Sequence, residues 1–267
     1  MKNLGFYLIN AFTGENARGN PACVVFIDRL DNAHAMQTIA SDLGMPATTF
    51  MKRAGNGYEL RWYAPEGEID LCGHGSVAAL WVLKHRCNTN GKVILKYKSG
   101  ELIGFIENTV VSFMSREIRV TEAPVPAEVV DGFGPGVAAY FTSNNKHMVV
   151  MENAIQVIDL KPNLEVLRKR DVFGYVITAQ HTSDRYDVCS RVILPFLKMS
   201  EDQATGSAHL LIAPYWANRL NKIDLRCYQA SERGGVVFCT VPGDGTVTIS
   251  GSCTIIAEGE LNAANYF

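Results

Sequence analysis

The chain has 267 residues, 47% of them apolar, with a formal net charge of −2. That is enough for two ordinary domains with substantial cores, and too little positive charge for a nucleic-acid or other polyanionic partner. No apolar run is long enough to span a membrane, and the opening Leu4-Gly5-Phe6-Tyr7-Leu8-Ile9 lacks the basic region and apolar core of a secretory signal. The seven cysteines are an odd number without a CxxC pair, which fits reduced thiols in a cytoplasmic protein rather than a disulfide frame or a zinc site.

Residues 4–12 read as a first strand, followed by a turn at 13–20 and a second strand at 21–27. Ala33, Met36, Ile39, Ala40 and Leu43 recur at helical spacing, so a helix is predicted over 32–43 with Gly44 as its C-cap. Strands at 48–52 and 58–63 should pair across Gly55-Asn56-Gly57. A buried helix follows at 76–85, then a meander at 92–98, 102–107 and 110–114 with turns at Ser99-Gly100 and Asn108-Thr109. Pro124 and Pro126 interrupt regular structure in 116–131, which places a domain boundary between 117 and 118.

The second half, 118–267, repeats this order: a strand at 147–151, a helix at 164–169, strands at 174–179 and 186–194, and a helix at 208–219. Strands at 224–229, 235–240, 246–250 and 253–258 close it, the last of them able to return to the first domain. The expected fold is therefore α+β: two similar domains, 1–117 and 118–267, each a mixed sheet rolled around one central helix. Both central helices are apolar nearly all round, as enclosure by a sheet requires, and Pro214 predicts a distortion in the second.

Chemistry concentrates in two turns, Asp70-Leu71-Cys72-Gly73-His74-Gly75 and Glu201-Asp202-Gln203-Ala204-Thr205-Gly206-Ser207-Ala208. Each follows an Arg-x-x-x-Pro strand, Arg61 to Pro65 and Arg191 to Pro195, and each opens a helix. The small residues Gly73, Gly75, Gly206 and Ser207 let backbone N–H groups approach a ligand, and the positive end of a helix favours a carboxylate or phosphate. One such turn is ordinarily just a strand-to-helix connection. Its duplication points to a small anion held in a cleft between the halves.

His74, inside the first turn, can move a proton or orient a carboxylate, although an isolated histidine is as readily structural. Asp202 is a candidate acid or base, and it lies too early to cap a helix that starts at Ala208. Cys72 would gain from a helix N-terminus as a thiolate. With Ala204 taken as its counterpart, a symmetric two-thiol mechanism lacks its partner, and a buried inert Cys72 is the simpler expectation. His147, His181 and His209 form no recognisable metal set, and no metal site is predicted.

The sequence resembles the phenazine-biosynthesis isomerase-like (PhzF-like) family, of the diaminopimelate epimerase and proline racemase fold superfamily. The motifs that carry the resemblance are Gly19-Asn20-Pro21-Ala22-Cys23-Val24, Arg61-Trp62-Tyr63-Ala64-Pro65, Glu68 through His74, Asn145-Lys146-His147, Glu201 through Ala208, and Gln229-Ala230-Ser231-Glu232-Arg233-Gly234-Gly235. It implies an active-site cleft between two similar domains, no metal, no organic cofactor and a homodimer. It also implies a small carboxylate substrate, with His74, Asp202 and Ser207 catalytic. Gly73, Gly75, Gly206, Asn20, Ala47, Cys72 and His147 would bind the substrate.

One departure stands out. The family's Ser-Glu-Thr-x-Phe segment is Pro46-Ala47-Thr48-Thr49-Phe50 here, so the carboxylate that serves as acid and base in the family is replaced by Ala47. Three accounts remain: an isomerase, lyase or cyclase that uses Asp202 or His74; a carboxylate-binding protein that has lost turnover; and an asymmetric epimerase that uses Cys72.

Overall fold

The structure, a computed structural model, describes residues 3–107, 110–144, 146–264 and 266; Asn145 and the turn expected at 108–109 lie outside the described residues. The chain forms two units, residues 1–115 with 250–267, and residues 116–249.

In the first unit, β1 (Asn3–Thr13) and β2 (Asn20–Phe26) are antiparallel neighbours. Helix α1 (Ala33–Leu43) carries the chain across, so that β3 (Thr48–Ala54) joins β2 in parallel. The ends of α1 are those the sequence marks: the Asn32 side chain accepts the Ala35 N–H, and Gly44 takes the left-handed cap conformation. β4 (Gly57–Ala64) returns antiparallel to β3. Two strands share the far edge of β4: β5 (Gly67–Ile69), antiparallel to its end, and β6 (Gly91–Tyr97), parallel to its start. Between them runs α2 (Gly73–Cys87), and β7 (Gly100–Glu107) and β8 (Val110–Arg116) complete the meander.

The second unit opens with β9 (Thr121–Ala123) and α3 (Ala127–Phe133), then β10 (Val137–Thr142) and β11 (Lys146–Met151). Short helices α4 (Ala154–Ile158) and α5 (Leu164–Leu167) lead to β12 (Gly174–Gln180), β13 (Val188–Ile193) and β14 (Glu201–Asp202). Helix α6 (Gly206–Leu220), β15 (Asp224–Gln229), β16 (Gly235–Thr240) and β17 (Thr246–Asn262) follow. Its pairings reproduce those of the first unit: β10–β11 antiparallel, β11–β12 parallel, β12–β13 antiparallel, then β13 flanked by antiparallel β14 and parallel β15, and β15–β16 antiparallel.

The two central helices match in detail. Each has 15 residues, an extended N-cap, and an asparagine C-cap in the left-handed region, Asn88 and Asn221. α2 packs against β1, β2, β3 and β7; α6 packs against β11, β12, β15 and β16. This is why both are apolar all round rather than amphipathic. The opposite sheet faces are covered separately. Met36, Ile39 and Ala40 of α1 pack there with Val25, Phe50 and Tyr63; Val129, Phe133, Val157 and Leu167 pack with Tyr140, Val149 and Tyr175.

Three expectations are corrected. The central helices begin at Gly73 and Gly206, two or three residues earlier than their apolar runs. The prolines at 124 and 126 do not exclude a helix, because Pro126 sits at the N-cap of α3, where a missing N–H costs nothing. Pro214 lies inside α6, and the carbonyl it orphans, that of Leu210, accepts the N–H of Ile118 at 2.9 Å. The strands expected at 246–250 and 253–258 are one continuous β17, which passes from the second unit into the first and pairs there with β1. Gly251 is needed for close approach rather than for a turn, since a Cβ there would lie 2.5 Å from the Phe12 ring. Among the described residues no helix is long and apolar enough to cross a membrane.

Candidate functional site

The two turns are built on matching arginines. Arg61 on β4 donates to both carboxylate oxygens of Glu68, at 2.8 and 2.7 Å, and to the Leu30 carbonyl at 2.9 Å. Arg191 on β13 donates to both carboxylate oxygens of Glu201, at 2.7 and 2.8 Å, and to the Leu160 carbonyl at 2.6 Å. In both units the leucine lies 31 residues before the arginine. Such forked pairs are strong and directional, and they fix where each turn leaves the sheet. The guanidinium of Arg61 holds the Glu68 carboxyl below the usual carboxylate range. Both glutamates are thus committed to architecture, and Glu201, beside Asp202 in sequence, belongs to the fork.

Register and caps align the turns residue by residue. Glu68 and Glu201 take equivalent places opposite Tyr63 and Ile193, so Ile69 corresponds to Asp202. Cys72 and Thr205 are the two N-caps, with backbone angles of −119°, 101° and −116°, 95°. The counterpart of Cys72 is therefore Thr205, not Ala204. Gly73 corresponds to Gly206, His74 to Ser207 and Gly75 to Ala208.

In the first turn the Cys72 thiol accepts the Gly75 N–H at 3.4 Å, and the ring nitrogens of His74 lie 3.6 and 3.8 Å from the same sulfur. His74 is buried, 6% exposed, as the second residue of α2. Gly75 has no room for a side chain: a Cβ would lie 2.8 Å from both Thr49 Oγ1 and Trp62 Cδ1. Thr49 Oγ1 also donates to the Gly75 carbonyl at 3.2 Å. Ala47, just before β3, is fully buried, and its carbonyl accepts the Cys23 N–H at 2.9 Å. Asn20 is fully buried at the start of β2, paired in register with Ala11.

In the second turn Thr205 Oγ1 donates to Asp202 Oδ2 at 2.6 Å. Because α6 starts at Gly206, Asp202 stands one hydrogen bond from the N-cap rather than far from it. Gln229, fully buried at the end of β15, accepts the Thr205 N–H on Oε1 at 2.7 Å and donates Nε2 to the Asp202 carbonyl at 2.5 Å. Ser231 Oγ donates to the Gln203 carbonyl at 2.6 Å. Thr205 and Gln229 were not singled out as site residues by sequence; the motif beginning at Gln229 was the available signal. Ser207 is half-buried as the second residue of α6.

His147 is placed differently. Its Nδ1 is hydrogen-bonded to Tyr140 Oη, and its ring meets Tyr175 edge-on at 6.3 Å. Tyr140 and Tyr175 belong to the core under α3 and α5, so His147 joins that group rather than the Asp202 turn. Burial, with the charge of Arg170 nearby, holds its imidazole below the ordinary value, and burial pushes the Tyr175 phenol up to about 12. Among the described residues no three His, Cys, Asp or Glu side chains gather as metal ligands.

A mixed sheet around a buried helix, entered through a tight turn that presents histidine in one unit and aspartate with serine in the other, defines the class of protein. The pattern of the phenazine biosynthesis-like proteins, PhzC-PhzF, matches residues 9–259, and the chain belongs to that family. A protein of Halalkalibacterium halodurans named an uncharacterized isomerase is 32% identical over 98% of this chain and 99% of its own length. The crystal structure of a PhzF family protein from Enterococcus faecalis superposes with a TM-score of 0.90 at 30% identity, covering 97% of this chain and 99% of that one. A probable proline racemase from Agrobacterium radiobacter shares the fold alone, with a TM-score of 0.65 at 9% identity over 97% of this chain and 92% of its own.

Proposed function

We propose that the chain is a PhzF-type isomerase, or a related lyase or cyclase, working without a cofactor on a small cyclic or conjugated carboxylate or amino acid in a biosynthetic pathway. His74, Asp202 and Ser207 act on the substrate. The backbone of Gly73 and Gly206 holds its carboxylate, with Gly75, Asn20, Ala47 and Cys72 as walls. The protein works as a cytoplasmic homodimer.

The observation that carries this reading is that His74 and Ser207 occupy the same position, the second residue, of two matching helices in a duplicated architecture. A helix N-terminus offers unpaired N–H groups to an anion and stabilises negative charge that develops near it. Names of relatives such as the Halalkalibacterium protein support the reaction class. Ala47 carries no proton, so transfer falls to Asp202 or His74, each of which needs only hydrogen-bond reach to the substrate.

The test is incorporation of solvent deuterium into a panel of small cyclic and aromatic amino acids, read by mass spectrometry. Wild type should label at least one of them, and Asp202→Asn should lower the rate about 100-fold. Labelling by Asp202→Asn at the wild-type rate would remove Asp202 from the chemistry. The buried Ala47 favours one second reading, a binding protein without turnover. That protein would show a ligand-dependent rise in Tm with no chemical change, and Ala47→Glu would create exchange the wild type lacks.

A further inference from the structure

The hydrogen bonds around Asp202 have a direction. Thr205 N–H can only donate, so the Gln229 atom that receives it at 2.7 Å is the amide oxygen. The Gln229 nitrogen must then supply the remaining contacts, to the Asp202 carbonyl at 2.5 Å and to Thr205 Oγ1 at 3.3 Å. A hydroxyl that accepts from Gln229 turns its single proton toward its other neighbour, and that neighbour is Asp202 Oδ2 at 2.6 Å. Gln229 is fully buried and Thr205 is 5% exposed, so water does not compete for these bonds.

The other unit supplies an internal control. Glu59 pairs with Lys96 as Cys189 pairs with Tyr228, so the place of Gln229 is taken there by Tyr97. Cys72 stands in place of Thr205, and Ile69 in place of Asp202. All three members differ together, yet the first turn folds to the same cap angles and the same 15-residue helix. The fold therefore does not require the chain of bonds, which is found only where Asp202 stands.

We propose that Gln229 is a positioning residue for Asp202, acting through the Thr205 hydroxyl: the amide orients the hydroxyl, and the hydroxyl holds one carboxylate oxygen in a single place. This rests on the assignment of Asp202 to the chemistry. Thr205→Val removes the hydroxyl without changing shape, Thr205→Ser restores it, and Gln229→Leu removes the amide that aims it. Crystal structures of the three variants should show the Asp202 carboxylate displaced from its wild-type place in Thr205→Val and Gln229→Leu, unmoved in Thr205→Ser, with α6 unchanged in all. In the deuterium assay Thr205→Val should lower kcat about tenfold or more with KM altered less than about threefold, while Thr205→Ser stays within about threefold of wild type. An unmoved carboxylate in Thr205→Val and Gln229→Leu, or an unchanged kcat in Thr205→Val, overturns the positioning role. If wild type labels no member of the panel, the isomerase reading falls, and the place of the carboxylate in the crystals alone decides the role of Gln229.

Discussion

The turn at Cys72 and the turn at Thr205 share an arginine fork, a helix of equal length and a C-cap of the same kind, and they differ in the side chains they carry. The first buries a histidine beside a thiol and fills its third helical position with a glycine whose place is crowded by Thr49 and Trp62. The second places a carboxylate on its N-cap threonine and tolerates Ala208 where the first has Gly75. The frame is the same in both turns, and the side chains set on it differ. What is common to both turns is therefore architecture, and what is found in one alone is the better guide to function.

The largest expected effect breaks the common frame. Arg191→Met leaves the Glu201 carboxylate, 18% exposed, without its partner, and should cost about 3 kcal/mol in urea unfolding. Arg61→Met strands the more exposed Glu68, at 26%, and should cost no more than about 1 kcal/mol. Equal costs would show that burial does not distinguish the forks. Next comes the glycine. Gly75→Ala forces a methyl group against Thr49 and Trp62 and should destabilise by about 1–3 kcal/mol, whereas Ala208→Gly should lose only the helix preference of about 1 kcal/mol.

The smallest effect is on pH dependence. Because Arg61 depresses the Glu68 carboxyl, its contribution is complete above the unfolded carboxyl value, about 4.3, and is lost as pH falls through the lower folded value. Comparing Glu68→Gln with wild type at pH 6 and pH 3 should show a smaller acid loss in the variant, by less than about 1 kcal/mol for so accessible a pair. An identical acid loss in both proteins would mean that the fork survives protonation.

Much of this was legible in the residues. The apolar period of α1 with Asn32 and Gly44 at its ends, the all-apolar central helices and the paired arginines each follow from local rules that the fold obeys. The helix expected at 164–169 is α5, Leu164–Leu167, whereas α3 and α4 leave no signal because five to seven residues hold too few turns for a period to show. The alignment of Cys72 with Ala204 was one residue out: arginine and glutamate are seven residues apart in one fork and ten in the other, and only strand register locates the difference. Gln229 escaped because its partners, 24 and 27 residues away, are joined to it by the sheet and not by any spacing along the chain.

The course of β17 has a consequence for how the molecule is made. Residues 252–262 supply the antiparallel partner of β1, and they follow the whole of residues 116–249 in the chain. The ribosome delivers the amino-terminal unit first, yet that unit waits with one strand edge open until the whole of the other has been translated. The unit that begins first is thus completed only after the other has been made.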